Sequence, residues 1–212
     1  MAEPSTVATV QKALESAKKR NFVETVELAI NLKDIDLTIP KNRIQDDIIL
    51  PHGRGRKVRV CVIGGGELAH KAKEVADVVI TPEELQVIAD DKKQAKKLAG
   101  DVDYFIAEAP LMAVVGKRLG IVLGPRGKMP KPIAPGADPA PMIEGLRNTV
   151  SVRTRDKKTF HVPVGTVDME ASKIAENVDT VLKRVESKLE KGKMNIASTY
   201  VKTTMGPAER LF

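Results

Sequence analysis

Val58-Arg59-Val60-Cys61-Val62-Ile63-Gly64-Gly65-Gly66-Glu67-Leu68-Ala69 decides the fold of the middle of this chain. Its first half is a short and almost unbroken apolar run, the mark of a strand buried on both faces. Its second half is a glycine turn that leads into an amphipathic stretch over 67–75, which reads as a helix. The same alternation repeats further on. Strands are expected at 77–80 and 103–108. Helices are expected at 82–97, from Leu111 to Leu119, and over 139–149. Thr81 caps the helix at 82–97, with Glu84 in the capping-box position. This order implies a parallel sheet with helices on both faces, a three-layer αβα unit of Rossmann-like type.

The glycine triplet also fits G-x-G-x-x-A, the formal dinucleotide fingerprint, and Glu83 stands where a ribose-binding acid would be sought. An enzyme reading therefore has to be weighed. Glu67 at the helix start would repel a pyrophosphate placed there. His52, His70 and His161 lie far apart, and none has metal-ligand spacing with another. No G-x-S-x-G, H-E-x-x-H or Walker lysine motif completes an active site. A tight turn serves any α/β sheet, so the triplet reads as structural. No catalysis, cofactor or metal is expected.

Outside this segment the pattern changes. Ser5 or Thr6 can cap an N-terminal helix that carries Val7, Val10, Leu14 and Ala17 on one face, with Lys18, Lys19 and Arg20 in its last turn. A long strand over 22–33 alternates Val26, Leu28, Ile30 and Leu32 with Glu27, Ala29 and Asn31. Another strand covers 44–50, and Pro51-His52-Gly53-Arg54-Gly55-Arg56 breaks the chain. After Val150, strands at 150–155 and 159–164 are joined by the turn Asp156-Lys157-Lys158. A helix over 169–189 places Ile174, Val178, Val181, Val185 and Leu189 at helical spacing. Gly192 and Asn195 end it before a closing strand at 196–203. Neither terminal piece can hold a core alone. The two pieces must therefore pack together. The fold class is α/β in two domains: a split α+β domain of residues 1–53 plus 153–212, with the αβα domain of residues 54–152 inserted. The crossings near Gly53 and Arg153 would lie side by side as a hinge.

Composition narrows the partners. The 212 residues carry a formal net charge of +7, which favours an anionic partner. Four Phe, two Tyr and no Trp leave little material for stacking single-stranded bases. Contact with nucleic acid would then run through phosphates, sugar hydroxyls and shape, as in structured RNA. The single cysteine, Cys61, lies in an apolar run and suits a reduced cytosol. No signal segment and no long apolar span is present, so a cytoplasmic protein without membrane contact is expected.

Leu123-Gly124-Pro125-Arg126-Gly127-Lys128-Met129-Pro130-Lys131-Pro132 combines helix breakers with fixed charge. It reads as a stiff basic loop suited to phosphate. This decapeptide, with Gly116-Lys117-Arg118-Leu119-Gly120-Ile121-Val122 before it, resembles the signature of the large-subunit ribosomal protein L-one family, the protein of the ribosomal stalk. Phe22-Val23-Glu24-Thr25-Val26-Glu27, Leu50-Pro51-His52-Gly53, His161-Val162-Pro163-Val164-Gly165 and Thr203-Thr204-Met205-Gly206-Pro207 resemble further landmarks of that family, in its order and over nearly the whole chain. The wording is closer to the archaeal branch.

The resemblance implies a monomeric, ribosome-associated RNA-binding protein with the same split two-domain layout. Its implied partners are the rRNA stalk, tRNA in the exit site and the protein's own mRNA. It places the RNA site on the terminal domain, at Phe22, Thr25, Glu27 and Asn31 of the first strand, with Lys41 and Arg43 nearby. Bacterial members carry lysine where this chain has Asn31. From the C-terminal half it adds His161, Gly165, Thr203, Thr204, Met205, Gly206 and Pro207, and strand alternation puts Ser198 and Lys202 on one face with Thr204, where they extend the surface. The alternation independently puts Thr25, Glu27 and Asn31 on one polar face. Hydroxyls at Thr203 and Thr204 are suited to ribose 2′-OH groups. A secondary RNA or hinge role is expected of Arg54, Arg56, Lys57, Arg126, Lys128 and Lys131.

Overall fold

The computed structural model describes residues 3–154 and 157–212. It divides into two compact units: Met1–Arg56 with Asn148–Phe212, and Lys57–Arg147. The return crossing thus stands at Asn148, not at Arg153. The cause is strand pairing, described below.

In the inserted unit the strands are β3 (Val60–Ile63), β4 (Val78–Ile80), β5 (Tyr104–Glu108) and β6 (Lys131–Ile133), all parallel in the order β4-β3-β5-β6. The helices are α2 (Gly66–Val75), α3 (Pro82–Asp90), α4 (Lys92–Asp101), α5 (Met112–Arg126) and α6 (Ala140–Arg147). Alternate residues of the strands feed two cores. Cys61, Ile63, Phe105 and Ala107 pack with Leu85, Ala95, Ala99, Val115, Leu119 and Leu123 from α3, α4 and α5. Val60, Val62 and Ile106 pack on the other face with Leu68, Ala72, Ile143 and Leu146 from α2 and α6. Burial pushes the Cys61 thiol up to about 12, so it is an inert core group.

The first and last residues of the insert meet at Asp77. Its carboxylate accepts from Lys57 Nζ at 2.9 Å and from the Val60 amide at 3.2 Å, with Arg147 Nη2 at 3.8 Å. Partial burial works against ionisation of Asp77. The hydrogen bonds and the positive charges of Lys57 and Arg147 outweigh it and hold the carboxyl below its ordinary range.

Three expectations for this unit are corrected. The helix expected over 82–97 is two helices, because Asp91 is extended. It closes α3 and caps α4, with its carboxylate accepting from the Lys93 amide at 2.8 Å. The helix expected to stop near Leu119 runs on to Arg126. Buried Val115, Leu119 and Leu123 hold one side of it, and that burial outweighs the poor propensity of Gly116, Gly120, Gly124 and Pro125 on the exposed side. The decapeptide at 123–132 is therefore not a loop. It is a helix end, a left-handed Gly127 cap (φ +70°) and the edge strand β6.

The terminal unit holds α1 (Pro4–Glu15), β1 (Thr25–Leu32), β2 (Gln45–Ile49), β7 (Thr149–Arg153), β8 (Thr159–Thr166), α7 (Ala171–Lys188), β9 (Ile196–Thr203) and β10 (Ala208–Arg210). One sheet has the order β10-β9-β1-β8, antiparallel throughout. β2 pairs with β7 along its whole length, from Gln45↔Arg153 to Ile49↔Thr149. That pairing draws 148–153 into the terminal unit. Both helices cover the same side of the four-stranded sheet, where Val10, Leu28, Ile30, Val162, Ile174, Val178, Val181 and Val201 form the core. Buried Asn177 of α7 donates to Gly53 O (2.9 Å) and Val164 O (2.8 Å) and accepts from the His52 amide (3.2 Å), which fixes the outgoing crossing to this core.

Neither Ser5 nor Thr6 caps α1. Asp179 of α7 does so from outside, accepting from the Glu3 amide and from Thr6 Oγ1, both at 2.9 Å. α1 stops at Glu15, which leaves Lys18, Lys19 and Arg20 in the following loop instead of its last turn. Arg155 and Asp156, expected in a strand end and a turn, lie outside the described residues.

The pairing of β2 with β7 sets where the insert can be removed. A chain joining Arg56 to Asn148 through a short linker should unfold cooperatively in urea. One joining Gly53 to Arg153 loses buried Val150 and Val152 and should be less stable by about 3–6 kcal/mol, at about 1.5–3 kcal/mol per side chain.

Candidate nucleic-acid interface

The helices leave the other side of the four-stranded sheet open, and strand register orders its side chains into three rows. Pro163, Glu27, Lys202 and Ala208 lie across the first. His161, Ala29, Tyr200 and Arg210 lie across the second, and Thr159, Asn31 and Ser198 across the third. The alternating residues, including Leu28, Ile30, Val162 and Val201, are buried on the helical side. An eight-residue strand with one apolar and one polar face gives this division without further instruction. A bulge between Val26 and Glu27 leaves Val164 of β8 unmatched, next to Pro163, which has no amide to donate.

The third row is a closed hydrogen-bond chain. Thr159 Oγ1 donates to Asn31 Oδ1 at 2.7 Å, and Asn31 Nδ2 donates to Ser198 Oγ at 2.9 Å. Asn31 is thus a fixed polar group with one amide hydrogen left for a ligand. Glu27 stands 3.9 Å from His161 Nδ1, and Lys202 Nζ turns to Thr204 O at 3.2 Å. Acid, imidazole and ammonium groups therefore share one surface within reach of a ribose or phosphate.

At the Thr25 end of β1 the surface changes character. Thr204 Oγ1 accepts from the Thr25 amide (3.1 Å) and donates to Thr25 O (3.2 Å), clipping the 203–206 turn to β1. Met205 (61% exposed), Phe22 (54%) and Val23 (55%) form exposed apolar contact points beside it. Lys18, Lys19, Arg20 and Asn21 line a cleft of about 370 Å³ together with Phe22 and Glu24. The Glu24 carboxylate is buried under this loop with Arg20 Nε 3.8 Å away.

The structure brings together Phe22, Thr25, Glu27, Asn31, His161, Ser198, Lys202, Thr204 and Met205, on the face or at its Thr25 end. Gly206 and Pro207 complete the turn. Thr203 is a correction: it is fully buried on the helical side, so its hydroxyl does not face outward. Gly206 is needed because a Cβ there would collide with Thr203 Oγ1. Gly165 is buried, and a Cβ there would press on Ile174 and Met169, so its smallness serves the packing of α7. Lys41 and Arg43 stand in the β1–β2 loop, which leaves β1 at its other end. Arg43 Nε donates there to Leu37 O at 2.8 Å.

Of the secondary residues, Arg54 and Arg56 close the terminal unit and Lys57 is paired with Asp77. Arg126 and Lys128 are turned onto α4. Arg126 Nη1 donates to Lys96 O at 3.3 Å, and Lys128 Nζ to Ala99 O at 2.9 Å and Val102 O at 2.6 Å. Lys131 opens β6 opposite Ile106. Arg126 and Lys128 do not stand on a loop offered to phosphate; their charge caps the carboxyl end of a helix.

Tyr200, Arg210 and Thr159 belong to the face and were missed. The alternation Ser198, Tyr200, Lys202 against buried Thr199 and Val201 carried the signal for Tyr200. β10 is too short to show a period. At the glycine triplet, Gly64 packs under Leu68 with the Glu108 side chain 3.3 Å from the position of a Cβ. Glu67 opens α2 beside it, paired with Lys71 at 2.7 Å. Two carboxylates at this turn oppose a bound diphosphate.

The profile of the ribosomal protein L1p/L10e family matches residues 13–207. The chain belongs to this family. Among its relatives is the large ribosomal subunit protein uL1 of Archaeoglobus fulgidus, 54% identical over 206 residues that cover 97% of this chain and 96% of the relative. The uL1 protein of Thermoplasma volcanium is 55% identical over 203 residues, 94% of each chain. That of Methanocella arvoryzae is 52% identical over 212 residues, the full length of both. These relatives are archaeal, as the wording of the motifs suggested. Membership makes the chain a structural ribosomal protein and not an enzyme. No helix among the described residues is long and apolar enough to cross a membrane.

The clip at Thr204 belongs to this family member's folded state as well as to its surface. Thr204→Val removes both bonds to Thr25 and should cost about 1–3 kcal/mol in urea unfolding, at about 0.5–1.5 kcal/mol per bond, whereas Thr204→Ser should keep most of that stability.

Proposed function

We propose that this chain is a cytoplasmic constituent of the large ribosomal subunit. It binds the stalk region of the large-subunit rRNA through the open sheet face of its terminal unit. In this reading it takes part in stalk movement and in release of deacylated tRNA from the exit site. It also represses translation of its own mRNA through an rRNA-like fold. The free protein is a monomer whose two crossings act as a hinge.

The open sheet face carries the reading. It combines hydroxyl, amide, imidazole, carboxylate and ammonium groups in fixed rows, with Tyr200 and the His161 imidazole as the two rings among the described row positions. That mixture suits ribose hydroxyls, phosphates and the shape of a structured RNA better than stacked single-strand bases. The exposed Phe22 and Met205 add flat contacts at one end. Glu27, out of place on a purely electrostatic surface, suits a 2′-OH donor.

The test is binding to a stalk rRNA fragment, its DNA analogue and an unrelated structured RNA across a salt series. The wild type should prefer the stalk fragment even at high salt. Met205→Asp and Thr204→Ala, each checked for an intact unfolding transition, should abolish that preference and leave weak nonspecific binding. Equal binding of all three nucleic acids by the wild type would sink the reading. Saturable binding of a dinucleotide would favour an enzyme instead.

A further inference from the structure

We propose that α4 of the inserted unit is a second, sequence-independent seat for the backbone of duplex RNA. This rests on the proposed function for its choice of partner. The sequence of α4 is Lys-Lys-Gln-Ala-Lys-Lys-Leu-Ala-Gly-Asp, and Lys92, Lys93, Lys96 and Lys97 are all exposed. Ala95 and Ala99 are its buried contacts. Lys92/Lys96 and Lys93/Lys97 are like-charge pairs one turn apart, each costing a few tenths of a kcal/mol. Lys92 and Lys93 also sit in the first turn, at the positive end of the helix dipole, where the Asp91 N-cap is the acid that faces them. Among the described residues no carboxylate pairs with any of the four ammonium groups. The Asp91 carboxylate caps the Lys93 amide, and Asp101 closes the far end of the helix.

The same helix receives two further cations. Arg126 donates to Lys96 O, and Lys128 donates to Ala99 O and Val102 O. Two of the three basic residues of the 123–132 stretch, Arg126 and Lys128, thus hold α4 toward its carboxyl end while its lysines face solvent. Six cations on or against ten residues repel one another, and an anion along the helix relieves that repulsion. The spacing of the lysines spreads the charge over about 7.5 Å of helix axis. α4 has no aromatic side chain for base stacking. Lysine is a point charge that matches phosphate, and the deep, narrow major groove of duplex RNA keeps it from the base edges. Its exposed positions offer no apolar side chain to enter a bilayer. The occupant that fits is a phosphate backbone of fixed shape.

The experiment uses the full chain with Lys92, Lys93, Lys96 and Lys97 changed to Gln, which has nearly the helix propensity of Lys. Binding to an RNA duplex of about 20 base pairs, unrelated to the stalk, is followed against salt. The slope of log K against log salt should shrink in magnitude by about 3.6 relative to wild type, at about 0.9 for each of the four phosphates no longer neutralised. The pairwise variants K92Q/K93Q and K96Q/K97Q should each lose about half as much, and they serve if the fourfold variant does not fold. A charge-matched control with Lys173, Lys183, Lys188 and Lys191 changed to Gln on the helical side of the terminal unit should keep the wild-type slope. A wild-type slope in the α4 variants, or an equal loss in the control, overturns the proposal. Preference for the stalk fragment should survive in the α4 variants. Its absence in the wild type would count against the proposed function, while the duplex slope still decides the role of α4.

Discussion

The structure depends on one strand from the beginning of the chain lying between two strands from its end. β1 pairs on one side with β8 and on the other with β9, each over seven register positions. Without β1, the C-terminal strands have a gap in the middle of their sheet. Without them, β1 has two unpaired edges. The ends of the chain therefore fold as one body, and everything between them must leave that body and return. The insert answers this with its own two cores. Asp77 gathers its first and last residues, and Asn177 holds the outgoing crossing to the terminal core.

The same pairing makes the surface proposed to meet RNA. α1 and α7 occupy one side of the sheet, so three chain segments remote in sequence align their outward side chains in rows on the other. Glu27, Lys202 and Pro163 become neighbours through register alone. The Thr204–Thr25 clip extends that alignment past the end of the ladder and fixes where Met205 stands relative to Phe22. A surface of this kind has a set spacing, which is what shape recognition of folded RNA requires. α4 is the opposite case. Its lysines lie side by side in sequence, pair with no carboxylate among the described residues and suit contact without sequence choice.

Much of this was legible in the sequence because burial imposes a period. The alternation at 26–32 gave both faces of β1, and the helical spacing of Ile174, Val178, Val181 and Val185 gave the buried stripe of α7. The split layout followed from terminal pieces too small to hold a core. What escaped reading was set by tertiary contact. Gly124 and Pro125 look like breakers, yet the burial of Leu119 and Leu123 carries the helix through them. Arg126 and Lys128 look free until α4 places its carbonyls beside them. Thr203 and Thr204 look alike, but strand alternation turns the first inward. The cap of α1 comes from Asp179, more than 170 residues away, where no local motif points. The break at Asp91 was written in its Asp-Asp-Lys-Lys context, but one continuous helix explained the apolar spacing equally well.

The most direct test of the central claim, that the open sheet face is where RNA sits, is hydroxyl-radical footprinting of the full chain with and without a stalk rRNA fragment. Met205, Phe22 and His161 are exposed reporters on or beside that face. Met194, 74% exposed, follows α7 at the far end of β9 and serves as an internal reference. The account predicts strong protection of Met205, Phe22 and His161 by RNA with Met194 unchanged. Protection of Met194 and of the α7 side, with Met205 still fully oxidised, would contradict it.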